Sequence, residues 1–423
     1  VRRYTTRNSL EEEVSVNLKK PLKKDILPVP GFSFLTFNAK VKEKSKKNDF
    51  LIFELNDKAL TAAVFTKNKF CAAPVILAKQ NLTKINPRLL VINSGNANAG
   101  TGKNGIVDAK KINLLLSSKF NVNPNSILPF STGVILQPLP MQRITQAIND
   151  NCSKQIKYNS HWIDAAQAIM TTDTIPKAIS QKFFLSKHEI SCTGIAKGSG
   201  MINPNMATML GFIFLDANIS KKMLNCLIHE VVERTFNLIT VDGDTSTNDS
   251  FLISCSNLAK NKRIETKNSL YIQLRKNLMG IAGKLAEMII RDGEGATKFI
   301  KIEIKNAKNI DEVKIAGKAI ANSPLVKTAF FASDPNLGRI LSALGNISAF
   351  NINTNLIDIK LNNNFVVQKG KIAPSYSESK ALKAMKAKEF MLSINLKRGK
   401  TTATVLTTDL SYEYIKINAE YRT

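Results

Sequence analysis

The chain has 423 residues, 43% hydrophobic and 22% charged, and a formal net charge of +27. That length exceeds one ordinary core and predicts two lobes, while the composition is that of a globular protein rather than a disordered one. The positive charge is mostly lysine spread along the whole chain, with no aromatic-interleaved basic motif and no zinc-finger spacing; it speaks against a nucleic-acid partner and reads as solvated surface.

In chain order, residues 1–24 begin with Arg2, Arg3 and Arg7, continue with Glu11 to Glu13, and lack an apolar face. They are expected to form a flexible basic tail, and the acidic block speaks against a transit peptide. Short apolar runs predict strands at 50–54, 62–65 and 89–92, and helical spacing follows at 106–120, 141–150 and 161–170. Residues 181–195 read as strand–turn–strand. Beyond them, a strand over 209–215 precedes helices at 220–235 and 269–290. Strands are expected at 299–304 and 312–315, then a helix around 320–327. The last third is expected to alternate strands at 350–352, 356–361 and 365–369, a helix at 379–388, and strands at 390–395, 402–406 and 412–417. Helices mixed with mostly antiparallel strands predict an α+β fold of layered sandwiches, stacked sheets covered by helices.

Several signals carry no chemistry. No apolar run reaches about 18 residues, and the best stretch, 278–290, is broken by Lys284 and Glu287, so no membrane partner is expected. The five cysteines are scattered without a CxxC pair; they suggest reduced thiols and a cytoplasmic setting. Gly100-Thr101-Gly102-Lys103-Asn104-Gly105 fits a dinucleotide fingerprint but lacks an acidic ribose partner at the expected distance, so it reads as a tight turn. His161, His188 and His229 lie far apart, and no metal site is expected. Asp242, Asp244 and Asp249 miss the spacing of a calcium loop and read as acceptors for turn amides.

The informative stretch is Lys197-Gly198-Ser199-Gly200-Met201-Ile202-Asn203-Pro204-Asn205-Met206-Ala207-Thr208. A glycine-rich loop leads to a threonine that opens an apolar run. A threonine hydroxyl is a weak nucleophile and needs an adjacent base. Scission of the Ala207–Thr208 bond would give Thr208 a free α-amino group, whose ordinary pKa of about 7.7–8.0 suits that task near neutrality. One residue would then hold nucleophile and base together, an arrangement N-terminal threonines are able to provide.

This stretch resembles the cleavage-site signature of the ornithine acetyltransferase family, bifunctional glutamate N-acetyltransferases of arginine biosynthesis. Further segments resemble the family in the same order. They include Asn93-Ser94-Gly95-Asn96-Ala97-Asn98, Ser131-Thr132-Gly133, Met170-Thr171-Thr172-Asp173, Asp242-Gly243-Asp244, Asp292-Gly293-Glu294-Gly295 and Asn418-Ala419-Glu420-Tyr421-Arg422-Thr423. The resemblance implies a self-processing N-terminal-threonine fold, with an α chain from 25–207 and a β chain from 208–423 forming an α2β2 assembly. It implies an acetyl group moved from N-acetylornithine to glutamate through an acetyl-Thr208 intermediate. No cofactor is implied, although acetyl-CoA is a possible second donor. Thr132 and Gly133 would form the oxyanion hole; Thr171 or Thr172, Lys197, Thr208, Glu294, Asn418 and Thr423 would bind substrate. Leu337 stands where the family usually carries tryptophan. The nearest alternative is an aminopeptidase or amidase that shares the threonine but passes the acyl group to water.

Overall fold

The computed structural model describes residues 15–152, 158–204 and 209–420. Among these, three sheets form. The first has the strand order Phe32–Phe37, Phe50–Leu55, Leu89–Asn96, Ile127–Val134, antiparallel except for its last, parallel pair. The second has the order Leu60–Phe65, Ser250–Cys255, Leu210–Leu215, His188–Lys197, Lys177–Leu185, again with one parallel pair, Leu210–Leu215 beside Ser250–Cys255.

Alternation along these strands explains how they stack, because successive side chains point to opposite faces. Phe34 and Phe53 of the first sheet meet Phe212 and Phe214 of the second in one core, with Phe53 and Phe214 centroids 4.5 Å apart. The other face of the first sheet, including Leu35, Phe50 and Ile52, packs on Ile112 and Leu116 of helix Gly102–Phe120 and Ile144 and Ile148 of helix Met141–Asn151. The other face of the second sheet, including Ile213, Leu215 and Ile253, packs on helices Lys221–Glu233 and Ser269–Arg291. The result is four layers: helices, sheet, sheet, helices.

A second lobe follows. Its six-stranded sheet has the order Lys371–Ile372, Asn364–Gln368, Asp358–Leu361, Glu389–Asn395, Phe299–Ala307, Thr401–Thr408. Ile300, Ile302 and Ile304 from one strand pack with Val313 and Ile320 of helix Ile310–Ala321 in a separate core. The layered α+β architecture and the two lobes therefore match the expectation from the sequence.

Three expected strands are corrected. Residues 312–315 lie inside helix Ile310–Ala321, where the Asn309 side chain accepts from the Glu312 N–H and Asp311 and Glu312 sit at the positive helix end. Residues 412–417 belong to helix Tyr412–Ala419, capped by Ser411 accepting from the Tyr414 N–H. In both places the capping signal outweighs a short alternation of apolar residues. No strand forms at 350–352. The loose-tail expectation fails at Val16, which is buried in the core of the first lobe; its N–H bonds the Arg291 carbonyl at 2.8 Å, and its own carbonyl accepts from Arg291 Nη1 at 3.2 Å. Residues 1–14 of that tail lie outside the described residues.

Candidate active site

The ends of both inner sheets converge on a cavity of about 260 Å³. It is lined by Thr132, Gly133, Thr171, Thr172, Lys197, Glu294 and Asn418, so every described residue that the resemblance assigns to the site reaches one place. Ala207, Thr208 and Thr423 lie outside the described residues. Their neighbours Ile202, Met209 and Leu210 line the cavity, and the Met209 carbonyl is fixed by the Ser250 N–H at 2.9 Å.

One wall is uncharged. Thr132 and Gly133 sit near the end of strand Ile127–Val134, beside Ser94 and Gly95 of the parallel neighbour. Gly133 has φ +134°, and a Cβ there would stand 2.2 Å from the Gly95 carbonyl carbon, so only glycine fits. Ser131 Oγ bonds Asn93 Oδ1 at 2.5 Å, and Asn248 Nδ2 donates to the carbonyls of Ala97 and Ser131 at 2.6 and 2.9 Å. These bonds hold the Thr132–Gly133 end of the strand from both sides.

The opposite wall is ionic. Lys177 Nζ donates to Asp173 Oδ1 and Asp292 Oδ2, each at 2.6 Å, and all three side chains are fully buried. Burial alone would raise the Asp173 carboxyl; Lys177, Lys197 and the Gly198 N–H instead bring it below the usual carboxylate range. Burial lowers the basicity of Lys197, with Asp173 opposing and Lys177 reinforcing that shift. Lys197 Nζ stands 4.0 Å from Asp173 Oδ2. Glu294 is placed by its N–H bonding the Ser199 carbonyl at 2.9 Å, and its Oε2 accepts from Asn418 Nδ2 at 3.0 Å. A Cβ on Gly200 would stand 2.2 Å from Glu294 Oε2, which explains that glycine. Both Thr171 and Thr172 line the cavity, but the Thr172 hydroxyl already bonds Ser199 Oγ at 2.8 Å.

Asp242 accepts from the amides of Met201 and Ile202 at 2.6 and 2.9 Å and pins the loop that precedes Asn205, the turn-amide role expected from the sequence. Asp249 differs. It lines the cavity, its Oδ2 has no hydrogen-bond partner among the described residues, and burial pushes its carboxyl well up. Asp173, Lys177 and Asp292 also escaped sequence reasoning, although Asp292 lies two residues from Glu294. The only local hint was a lysine four positions after an aspartate. Gly105 packs against Thr101 and Asn98, where a Cβ would meet Thr101 Oγ1 at 2.0 Å, and no glycine of that loop lines the cavity. Among the described residues no group of three His, Cys, Asp or Glu side chains is placed to hold a metal, and no helix is long and apolar enough to cross a membrane.

The sequence pattern of the ArgJ family matches residues 33–423. The chain is 46% identical over 414 residues to the arginine biosynthesis bifunctional protein ArgJ of Neisseria meningitidis serogroup A, covering 97% of this chain and 100% of that protein. The identity and coverage are the same for the ArgJ protein of Neisseria gonorrhoeae strain ATCC 700825 / FA 1090. Among solved structures, the arginine biosynthesis bifunctional protein argJ of Bacillus halodurans is 38% identical with a TM-score of 0.46, covering 49% of this chain and 96% of that one. Ornithine acetyltransferase of Mycobacterium tuberculosis, complexed with ornithine, is 26% identical with a TM-score of 0.36, covering 42% and 94%. With a family match across nearly its whole length and close to half of its residues shared with these relatives, the chain belongs to the ArgJ family.

Proposed function

We propose that this chain is an acetyltransferase of arginine biosynthesis that moves the acetyl group from N2-acetyl-L-ornithine to L-glutamate by way of an acetyl-Thr208 intermediate. The observation that carries this reading is the meeting, in one cavity beside the chain that continues from Thr208, of an uncharged Thr132–Gly133 wall and a charged Lys197–Glu294 wall. An acyl transfer between amino acids requires both.

Maturation comes first. Thr208 Oγ attacks the Ala207 carbonyl, the peptide C–N bond breaks as an ester forms, and water hydrolyses the ester to leave α and β chains divided at that bond. In turnover, Thr208 Oγ attacks the acetyl carbonyl while its α-amine takes the hydroxyl proton. Thr132 Oγ and the Gly133 N–H stabilise the resulting oxyanion. The acetyl C–N bond then breaks, the α-ammonium returns its proton to the departing amine, and ornithine leaves. Glutamate attacks the ester with its own amine, and Thr208 Oγ recovers a proton as N-acetylglutamate departs. The negative charge of Glu294 suits the substrate ammonium, and Lys197 suits the carboxylate that both amino acids carry.

No cofactor enters this cycle. The word bifunctional in the names of the relatives supports acetyl-CoA as a second acetyl donor. The reading includes an α2β2 assembly and a cytoplasmic setting, the latter supported by five free cysteines. Purified protein incubated with N-acetylornithine and labelled glutamate is expected to yield labelled N-acetylglutamate and ornithine. Release of free acetate without N-acetylglutamate would instead identify a hydrolase. Denaturing electrophoresis with N-terminal sequencing is expected to give one chain that ends at Ala207 and one that begins at Thr208.

A further inference from the structure

Three separate segments bring side chains to the ionic wall, and one lysine joins them. Thr171 and Thr172 precede Asp173, Lys197 lies on the neighbouring strand, and Glu294 follows Asp292 by two residues. Asp173 accepts from the N–H groups of Thr171 at 3.0 Å and Gly198 at 2.7 Å, and Asp292 accepts from the Thr174 N–H at 3.0 Å. Between the two carboxylates lies Lys177, bonded to both.

The charges explain why this lysine matters. Two buried carboxylates face two ammonium groups, the buried Lys177 and Lys197, whose side chain is 12% exposed. Lys177 holds both carboxylates at 2.6 Å, whereas Lys197 remains 4.0 Å from the nearer one, too far for a hydrogen bond. Lys197 Nζ makes no hydrogen bond among the described residues, yet it reaches the cavity. Without Lys177, the Asp173 carboxylate would have Lys197 as its only nearby cation among the described residues. A buried unpaired anion is costly, so Lys197 would move onto it.

We propose that Lys177 is a positioning residue that occupies Asp173 and Asp292, leaving the Lys197 ammonium uncommitted to receive a substrate carboxylate. The inference rests on the acetyl-exchange reading for the identity of that substrate. It separates Lys177 from an ordinary structural ion pair, because it assigns a consequence to which of the two carboxylates remains when Lys177 is removed.

Two charge-balanced double variants of the full chain test it. In Lys177→Met with Asp292→Asn, Asp173 remains and captures Lys197; KM and Kd for glutamate are expected to rise about tenfold or more, the value of a lost charge-assisted contact. In Lys177→Met with Asp173→Asn, Asp292 keeps its Thr174 and Ile175 donors and Lys197 stays free, so both constants should rise far less than in the first variant. Mass-spectrometric mapping of lysine acylation gives a second readout: Lys197 should lose reactivity only in the first variant. Equal glutamate affinity and equal Lys197 reactivity in the two variants would overturn the role of Lys177. Wild-type protein that binds glutamate but forms no N-acetylglutamate would overturn the acetyl-exchange reading, while the affinity comparison still judges Lys177.

Discussion

The two walls of the cavity are built by different physics. The Thr132–Gly133 wall carries no charge and is fixed by backbone geometry: a parallel strand pair, a glycine that no other residue is able to replace, and Asn248 bridging two carbonyls. The Lys177 wall is an ion cluster whose Asp173, Lys177 and Asp292 are sealed from water and whose Lys197 opens to the cavity. The contrast suits the two tasks of a group transfer. Oxyanion stabilisation gains most from donors that do not move as charge develops. Recognition of a zwitterionic amino acid needs opposite charges held apart, the task that the proposed function gives to Lys197 and Glu294. Damage to the first wall should therefore appear in kcat, and damage to the second in KM.

The largest effect is expected at Thr208. Thr208→Ala removes nucleophile and base together; a single uncut chain on denaturing gels and no acetyl-enzyme by mass spectrometry are expected. Next comes the uncharged wall. Thr132→Ala should lower kcat about 10²–10³-fold in material that has been cleaved, the usual cost of one oxyanion donor, with KM little changed. Steady-state kinetics on the isolated mature protein would check this. A KM effect of similar size would break the division between the walls.

Glu294→Gln tests the charged wall. The amide oxygen can still accept from Asn418 Nδ2, so the local fold should persist while the negative charge is lost. KM for the amino-acid substrates should rise about tenfold with kcat nearly preserved, as expected for one charge-assisted contact. Kinetics at saturating donor with glutamate varied would measure it, and an equal fall in kcat would place Glu294 in the reacting group instead.

The two walls also differed in how far the sequence disclosed them. Thr132, Gly133, Lys197 and Glu294 stood in short stretches that resemble a family, and layering was legible because the Phe50–Leu55 and Leu210–Leu215 strands and the first half of Leu89–Asn96 are densely apolar. The ion cluster was not legible. Asp292 is 115 residues from Lys177 along the chain, and nothing in composition or periodicity pairs them. Helix Tyr412–Ala419, which carries Asn418, reads as a strand over 412–417 from the sequence, and the deciding signal is the Ser411 cap at its start. Sequence patterns of period 2 or 3.6 report which face is buried; long-range charge pairing has no period to read.

Asp249 belongs to neither wall and offers the smallest effect. Burial holds its carboxyl well above the usual carboxylate range, with Ser246 and Lys197 opposing that rise. The folded protein therefore keeps a proton that the unfolded chain has released, and this contribution to stability is full below the unfolded pKa. It is lost as pH rises through the folded-state value. Asp249→Asn removes the titration while keeping nearly the same shape. The variant should match or trail wild type near pH 5 and exceed it near pH 8, by about 1 kcal/mol, on the order of the cost of an unsatisfied buried polar group. Urea denaturation at the two pH values measures the difference. A gain that is the same at both would mean that the folded carboxyl is ionised across this range, as the unfolded one is, and that burial does not raise it.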